Sequence, residues 1–498
     1  MCGFAGIVSK NSDSKLKVDK MSSMLIHRGP DSKGSYSDDN VALGFRRLSI
    51  IDLSDMGSQP MLINGHVIVY NGEIYNYKEL RKVLEQNGFK FHSSSDTEVL
   101  LNSYIYWGKD ILKIIKGMFA FAIWNVEENI LFMAKDHFGK KPFYYSHQGN
   151  EFIFCSEIEP VQYALSSKPK IDQSSLVNYL IKGYYNPSKT IYENIFTLSA
   201  GQYAEYDFKS NILNINTYWK NQFNISYTKS NVEEIIPDVN VALEDAIKRR
   251  FVSDVPVGIA LSGGIDSSLI ALKSADILSE NINTYSISFP GSEYDEYKYV
   301  KELVKNFPKL NSIRINQKKI NLKETIDDLV ECFGEPFGDD SAIPSMALYK
   351  ELKNYGKVFL SGDGADEIFG GYIDYKLFLL QDRFRLINGI TNFCPESLIF
   401  RSILSNTNFR KLGYLLKMLK NDNQLFNFLM HGGWSSYSYS YFDNNNNNVF
   451  KLFLDIETEE ANNFVKLGDN YISRYLNKNL ERLSQQFLVK SDRTSMYS

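Results

Sequence analysis

Short apolar runs in the first part of the chain have the length and composition of β-strands. They are rich in aromatic and branched residues and lie at His66–Tyr70, Met118–Trp124, Ile130–Lys135 and Phe152–Ser156. Runs of this kind between polar residues predict strands. A helix is predicted from Asn76 as the N-cap residue, through Leu80, Val83 and Leu84 on the apolar face, to Gly88 as the stop. This part is therefore predicted to be a mixed α+β domain.

The pattern changes after Tyr206. Residues 207–231 are rich in Asn, Ser and Lys, and we predict a linker there between domains at 2–206 and 232–498. Strand-like and helix-like segments then alternate, which predicts a doubly wound parallel sheet. The predicted strands are Val255–Leu261, Asn283–Phe289, Ser312–Asn316 and Lys357–Leu360, and the helices lie near Val239–Phe251, Tyr294–Phe307, Leu322–Phe333 and Ser345–Tyr355. From Leu379 onward the pattern predicts mainly helix, with a loop at Asn444–Asn448.

The composition limits the number of domains, the binding partners and the cellular compartment that we expect for this protein. A chain of 498 residues predicts two or three domains. The formal net charge of −4 gives no basic field, so neither nucleic acid nor an anionic membrane is an expected partner. The four cysteines, Cys2, Cys155, Cys332 and Cys394, have neither metal-site nor disulfide-framework spacing. No apolar run reaches the length of a membrane span, so we expect a cytoplasmic protein.

Cys2 directly follows the initiator Met, and removal of that Met would leave a cysteine with a free α-amino group. A thiol and an amine with neighbouring pKa values could then act as nucleophile and base within one residue. A chance cysteine at a frayed terminus is the alternative. The apolar, glycine-bearing segment Gly3–Val8 instead predicts a buried strand that holds Cys2 in place.

Polar clusters later in this domain have the chemistry to serve such a nucleophile. Asn71 and Gly72 follow a predicted strand, where an amide group and a backbone N–H could converge on a developing oxyanion. Taken alone, Asn-Gly is more often a hairpin turn. Arg47 could bind a carboxylate, and Glu73 and Asp96 could bind an ammonium group, which together would recognise a free amino acid. Singly, each is an ordinary surface charge.

The motifs MCGFAGIV, HRGPD, RRLSIIDL, YNGEIYN, SSDTEV and GMFAFAIW occur in this order in about the first 200 residues. They resemble the glutaminase domain of class II glutamine amidotransferases, which has the αββα sandwich of N-terminal-nucleophile hydrolases. By that resemblance Cys2 attacks the carboxamide of glutamine, and Asn71 and Gly72 form the oxyanion hole. Arg47 then holds the α-carboxylate, Glu73 and Asp96 hold the α-amino group, and ammonia is released.

A candidate phosphate loop, SGGIDSS at residues 262–268, lies between the strand Val255–Leu261 and a helix-like stretch, Leu269–Leu278. Glycines let backbone N–H groups approach phosphate oxygens, hydroxyl groups add donors, and the helix N-terminus adds its dipole. Asp266 could hold Mg²⁺. A plain serine-rich turn is the alternative.

Two further segments could complete that site. SGDGADEIFGGY at 361–372 follows another predicted strand, at the sheet edge where α/β proteins bind ligands, and its acids could bind Mg²⁺ or move protons. A glycine-rich turn is the alternative. In KSDRTSM at 490–496, Lys490 could neutralise phosphate charge, although by itself it is an ordinary helix-surface cation.

With the glutaminase-like half in front, these three motifs resemble the asparagine synthetase family, whose second domain is an ATP pyrophosphatase. The resemblance implies ATP as co-substrate with Mg²⁺. It places Leu261, Ser262, Gly263, Gly264, Asp266, Ser267, Ser288, Ser361 and Gly362 at ATP, and Asp266 and Asp366 at Mg²⁺. It also implies that Lys490 stabilises the adenylation transition state. Asp363 stands where the best-known members carry a glutamate, thought to deprotonate ammonia.

The expected function is therefore glutamine-dependent asparagine synthesis, with glutamine, aspartate and ATP as substrates and a homodimer as one option for assembly. Family members usually continue past KSDRTSM through a segment resembling LExRxPF, so a truncated synthetase domain is expected here. One alternative is a ligase that amidates another carboxylate, such as a sugar acid. A further alternative is a glutaminase or binding protein whose second half is inactive.

Overall fold

The computed structural model describes residues 2–221, 231–291, 293, 295–316, 320–372, 455 and 471–498, with side chains from 476 onward in the last segment. The predicted helical region from Leu379 therefore lies largely outside the described residues, as does the loop Asn444–Asn448.

Two six-stranded antiparallel sheets form the first part of the chain. The strands are β1 (Gly3–Val8), β2 (Ser32–Ser37), β3 (Val41–Arg47), β4 (Met61–Ile63), β5 (His66–Ile74), β6 (Gly117–Asn125), β7 (Ile130–Lys135), β8 (Tyr144–Gln148), β9 (Glu151–Cys155), β10 (Phe196–Thr197), β11 (Gln202–Asp207) and β12 (Ile212–Thr217). The first sheet has the order β10-β8-β9-β1-β3-β2, and the second has the order β12-β11-β7-β6-β5-β4. The predicted strands of this half, including Gly3–Val8, are confirmed.

The sheets pack face to face, and helices cover their outer faces. Phe4 and Trp124 meet in the core between the sheets, whereas Ile7 packs outward against α1 (Ser14–Met24) and α4 (Ile158–Ala164). The outer face of the second sheet packs against α2 (Tyr77–Gln86) and α3 (Asp96–Trp107). Because β1 is buried on both faces, its sequence is apolar throughout rather than alternating. The result is the αββα layering that the motifs implied.

Two details of the sequence prediction need correction. Asn76 precedes α2, but its side chain makes no capping hydrogen bond. Its Oδ1 instead accepts from the Lys116 amide at 2.8 Å, because the chain before β6 lies alongside. The segment 207–231 is not a plain linker either, since β12 pairs with β11 and extends the second sheet. The domain limits themselves stay a prediction.

The second part contains a parallel sheet, as its alternating pattern predicted. In the described residues the strands β13 (Val257–Ala260), β14 (Ile282–Ser288), β15 (Leu310–Asn316) and β16 (Val358–Leu360) lie in the order β15-β14-β13-β16. The helices are α5 (Gln173–Lys182) before the sheet, then α6 (Val232–Arg250), α7 (Ile265–Ile277), α8 (Tyr297–Lys305), α9 (Leu322–Phe333), α10 (Ala342–Leu352), α11 (Ala365–Phe369), α12 (Tyr471–Arg482) and α13 (Leu488–Tyr497).

Helices pack on both faces of this sheet. Ala271 of α7 and Val300 of α8 pack with Ile259 on one face, whereas Leu352 of α10 packs with Tyr285 on the other. The chain moves from β13 to β14 on one side and returns to β16 on the other, so a crevice opens at the carboxyl end of β13. In the described part of the chain, no helix is both long and apolar enough to cross a membrane.

Candidate functional site

One pocket in the first half collects most of the predicted glutamine-binding residues. Cys2 precedes β1, and its thiol lies 3.7 Å from the carbonyl oxygen of Leu48. Arg47 at the end of β3, Gly72 and Glu73 in β5, and Asp96 at the start of α3 line the same pocket. The sandwich brings these residues together because β1 pairs with β3 while β5 lies in the facing sheet.

Asn71, the residue before Gly72, has a buried side-chain amide without hydrogen bonds. Its side chain is fully buried, yet neither its Nδ2 nor its Oδ1 has a hydrogen-bond partner. Gly72 follows it where β5 and β6 run close together, and a Cβ built there would lie 2.1 Å from the carbonyl oxygen of Met118. Glycine is therefore required at 72 by the strand spacing, and the Asn71 amide is left with unused hydrogen-bonding capacity.

The two acids of the pocket share a buried environment that disfavours charge. Burial, followed by the neighbouring Asp96, raises the pKa of Glu73 to about 7. Burial raises the pKa of Asp96 to about 6, although hydrogen bonds from the Ile74 amide and the Tyr70 hydroxyl, each 2.9 Å long, oppose the rise. Burial also raises the pKa of the Cys2 thiol. A bound ammonium group would lower the pKa of both acids, because a nearby positive charge favours their ionised form.

Arg47 is held by the loop that follows it rather than by an acid. Its Nη1 donates to the Ser54 carbonyl at 2.6 Å, and its Nη2 donates to the Asp52 carbonyl. The guanidinium is buried, and a Cβ on Gly57 would lie 2.4 Å from Nη2. The loop therefore fixes where this cation sits in the pocket.

In the second half, the SGGIDSS motif forms a compact loop at the carboxyl end of β13. The Ser262 hydroxyl lies 3.0 Å from that of Ser267 and accepts from the Gly264 amide at 3.2 Å. Gly263 has φ +93, a backbone conformation that favours glycine. The helix α7 begins at Ile265, earlier than the predicted Leu269, so Asp266 lies in its first turn.

The acidic loop after β16 lies directly against the first one. A Cβ on Gly362 would lie 2.9 Å from the Ser267 amide nitrogen and 3.1 Å from Cβ of Asp266. The pKa of Asp266 is raised by burial and by the charge of Asp366, so these two carboxylates are neighbours. The predicted ligands of Mg²⁺ thus come together where β13 and β16 adjoin.

The remaining predicted nucleotide residues border the same sheet edge. Leu261 is buried at the end of β13, and Ser361 follows β16. Ser288 ends β14, but its hydroxyl is already engaged, since it donates to Asp295 at 2.8 Å and accepts from Arg314 at 2.6 Å. No group of three or more His, Cys, Asp or Glu side chains able to hold a metal occurs in the described residues.

Among the described residues, Lys490 forms no hydrogen bond or ion pair with either loop. Its Nζ donates to the Ser341 hydroxyl at 2.7 Å and pairs with Asp339 at 3.4 Å. The next residue, Ser491, donates to the Asp363 carboxylate at 3.2 Å. The helix α13 therefore reaches the acidic loop through Ser491 rather than through the predicted lysine.

A buried ion network joins the two halves, and the sequence analysis did not find it. The fully buried guanidinium of Arg28 donates to the Cys2 carbonyl at 3.2 Å, to Glu157 at 2.8 Å and to Asp492 at 2.7 Å. Asp492 also accepts from Lys141 at 2.9 Å. Burial would raise the pKa of Asp492, but Arg28 and Lys141 hold it well below its usual range. The KSDRTSM helix is thus anchored to the residue that positions Cys2.

Other residues around the Cys2 pocket were also missed. Tyr70 donates to Asp96, and Gln59 accepts from the Tyr70 amide at 2.6 Å and donates to Thr97 at 3.1 Å. The signals were present, because Tyr70 directly precedes Asn-Gly and Thr97 follows Asp96 in the SSDTEV motif. Gln59 carries no such signal, since its contacts depend on how its loop folds back.

The fold and the two sites define a two-part α/β protein, with an N-terminal cysteine pocket in front of a parallel-sheet domain. Comparison with known families agrees: residues 1–219 match the model of the glutamine amidotransferase domain, and residues 238–498 match that of asparagine synthase. The chain belongs to the asparagine synthase family.

Individual relatives give the extent of the similarity. Asparagine synthetase (glutamine-hydrolyzing) 1 of Bacillus subtilis is 36% identical over 384 residues, which cover 76% of this chain and 60% of that protein. A Methanocaldococcus jannaschii relative named for the same activity is 36% identical over 401 residues, covering 75% of this chain and 76% of its own. This chain therefore spans about 60% of the length of the B. subtilis relative.

Among solved structures, a glutamine phosphoribosylpyrophosphate amidotransferase from B. subtilis, in complex with ADP and GMP, is 17% identical. The match has a TM-score of 0.35 and covers 58% of this chain and 76% of that one.

Proposed function

We propose that this protein is a glutamine-dependent asparagine synthetase. The first half hydrolyses glutamine to glutamate and ammonia. The second half uses ATP to activate the side-chain carboxylate of aspartate, and ammonia displaces AMP to give asparagine, with pyrophosphate as the other product. The names of the relatives and the two family matches support this proposal.

In the glutaminase step, the Cys2 thiolate attacks the carboxamide carbon of glutamine, and the α-amino group of Cys2 accepts and returns the proton. The Asn71 amide and the Gly72 backbone N–H donate to the oxyanion of the tetrahedral intermediate. Ammonia leaves, and water hydrolyses the resulting thioester to glutamate. The unpartnered amide of Asn71 supports its role, because a bound oxyanion would give that buried donor its missing acceptor.

Arg47 binds the α-carboxylate of glutamine in this scheme, and Glu73 and Asp96 bind its α-ammonium group. The arrangement reads both charges of a free amino acid and so excludes a glutamine residue within a peptide. The raised pKa values of the two acids support the assignment, because a buried pair of carboxylates needs a cation to stay ionised.

In the amide-forming step, the loop 262–268 holds the phosphates of ATP, and Leu261, Ser288, Ser361 and Gly362 border the nucleotide. Asp266 and Asp366 would hold Mg²⁺, and that ion would supply positive charge against the phosphates of ATP. The close approach of the two loops supports this, because it brings two carboxylates and several backbone N–H groups to one edge of the sheet. Asp363 acts as the base for ammonia, and the positive charge of Lys490 stabilises the adenylation transition state.

The observation that carries the proposal is the single pocket lined by Cys2, Arg47, Gly72, Glu73 and Asp96. The test measures glutamate, pyrophosphate and asparagine together, with glutamine or ammonia as the nitrogen source. We expect Cys2→Ala to abolish glutamine use but to keep ammonia-dependent synthesis. Asp266→Ala is expected to do the reverse, keeping glutaminase activity while pyrophosphate release stops. Loss of both activities in folded Cys2→Ala would contradict the proposal.

The same assay separates the alternatives. Pyrophosphate released with a sugar acid or another carboxylate, but not with aspartate, would identify a ligase with a different acceptor. Glutamate formed at the same rate with and without ATP and aspartate, and without pyrophosphate, would identify a glutaminase whose second half is inactive.

A further inference from the structure

The loop that follows β3, residues 48–54, forms one wall of the glutamine pocket. Leu48, Ile50 and Ile51 of this loop line the pocket beside Cys2. The carbonyl groups of Asp52 and Ser54 in this loop accept hydrogen bonds from the Arg47 guanidinium. Any shift of this loop therefore moves the cation that, under the proposed function, binds the α-carboxylate of glutamine.

Asp52 connects this loop to the acidic side of the pocket. Its carbonyl accepts from Arg47, while its Oδ2 accepts from the Ser94 amide at 2.8 Å, two residues before Asp96. The residue is buried and has φ +55, a left-handed conformation that costs free energy for a residue other than glycine. Such a conformation persists only where several contacts enforce it.

The contact that completes this set comes from the second half of the chain. Asp254, between α6 and β13, accepts from the Asp52 amide at 2.7 Å through its Oδ2. Its own backbone amide donates to the Ile50 carbonyl at 3.0 Å. Asp254 thus forms two hydrogen bonds with loop 48–54. The strand that follows Asp254, β13, leads directly into the phosphate loop at 262–268.

We propose that Asp254 is a positioning residue for the glutamine pocket: it fixes Asp52, which fixes Arg47, so the second half of the chain sets the affinity of the first for glutamine. The inference rests on the proposed glutaminase function. It deepens that function by assigning recognition of the α-carboxylate partly to a residue outside the glutaminase half.

The test compares Asp254→Ala with Asp254→Asn in the full chain. Alanine removes the acceptor of the Asp52 amide, whereas the Asn side-chain oxygen can still accept that bond. Glu79→Ala is the matched control, because Glu79 makes another contact between the halves, with Arg249 at 3.1 Å, away from the pocket. The readouts are kcat and KM for glutamate release, and the rates at which Cys2 is alkylated by iodoacetamide and by 6-diazo-5-oxo-L-norleucine, a reagent shaped like glutamine.

We expect Asp254→Ala to raise KM for glutamine about threefold to tenfold, the factor that loss of one ordinary hydrogen bond gives, with kcat within about twofold. Alkylation by the glutamine-shaped reagent should slow by the same factor, while alkylation by iodoacetamide should change much less, because iodoacetamide has no α-carboxylate for Arg47 to bind. Asp254→Asn and Glu79→Ala should resemble the unmodified protein.

An unchanged KM in Asp254→Ala would overturn the inference while leaving the proposed function intact. Equal losses in kcat and in both alkylation rates would also overturn it, since they would indicate general damage to the fold. If the unmodified, folded protein neither releases glutamate nor reacts at Cys2 with the glutamine-shaped reagent, the proposed function itself fails, and the inference fails with it.

Discussion

Replacement of Asn71 by alanine should separate activity from stability. The Asn71 amide is fully buried, and both of its polar atoms lack hydrogen-bond partners. A buried polar group without a partner lowers the free energy of unfolding by about 1–3 kcal/mol. Replacing the side chain by alanine also removes packing contacts worth about 1 kcal/mol. We therefore expect Asn71→Ala to be as stable as the unmodified protein or more stable by about 1 kcal/mol.

The same substitution should greatly slow glutamine hydrolysis. Loss of one donor to an oxyanion costs about 10²–10³-fold in kcat, equivalent to about 3–4 kcal/mol. The assay measures glutamate release under saturating glutamine, and thermal unfolding followed by circular dichroism measures stability. An apparent melting temperature no lower than that of the unmodified protein, together with this loss of kcat, is the expected result.

Asn76→Ala is the matched control, because Asn76 is also buried but both its Oδ1 and its Nδ2 are hydrogen-bonded. It accepts from the Lys116 amide at 2.8 Å and donates to the Ile114 carbonyl at 3.2 Å. Its removal breaks two hydrogen bonds to the backbone and should cost about 1–3 kcal/mol of stability, with little change in kcat. If Asn71→Ala lowers stability as much as Asn76→Ala does, or if it leaves kcat within a few-fold, the reasoning is refuted.

Further predictions follow from the buried charges. The pKa of Glu73 is raised to about 7 and that of Asp96 to about 6, so both acids ionise in the free protein only as pH rises through this range. KM for glutamine should therefore fall between about pH 5.5 and 8, because the ionised acids bind the ammonium group. A pH profile of KM measures this fall, and Glu73→Gln should flatten the profile. By linkage, acids whose pKa is higher in the folded than in the unfolded state stabilise the folded state fully only below the unfolded pKa of about 4, and they lose this contribution as pH rises to the folded values of about 6 and 7. Urea unfolding between about pH 4 and 8 would detect this loss. Asp492→Ala should lower stability by about 3–5 kcal/mol in urea unfolding, because it leaves Arg28 and Lys141 as buried cations without that partner, and a loss below about 1 kcal/mol would contradict the network's importance. Asp110→Ala, which breaks an exposed pair with Lys113, should leave stability unchanged in the same urea unfolding assay, because solvent screens that pair.

Local patterns in the sequence determined much of the architecture. Gly3–Val8 reads as a strand because every side chain in it is apolar or absent, and β1 is buried on both faces. The alternation of short apolar runs with amphipathic segments after Val232 predicted the parallel sheet, because parallel strands need covering helices between them. The spacing of glycines and serines around Asp266 predicted the loop and helix start to within a few residues.

Residues distant in the chain required the tertiary structure. The bond from Arg28 to Asp492 spans 464 positions, and the bond from the Asp52 amide to Asp254 spans 202. No local period records such pairs, since each residue alone resembles an ordinary surface charge or cap. Asn76 illustrates the same limit. Its sequence context indicates a helix cap, but its side-chain oxygen accepts a hydrogen bond from the Lys116 amide instead.

The sequence by itself determined which chemical groups the protein carries and which strands and helices present them, because hydrophobic period, turn residues and motif spacing are local properties. Only the tertiary structure decided which charges are buried together, which amide is left without a partner, and that Asp254 of the second half bonds to the loop beside the Cys2 pocket. Those outcomes depend on desolvation and on packing between distant segments, and these physical quantities exist only once the chain has folded.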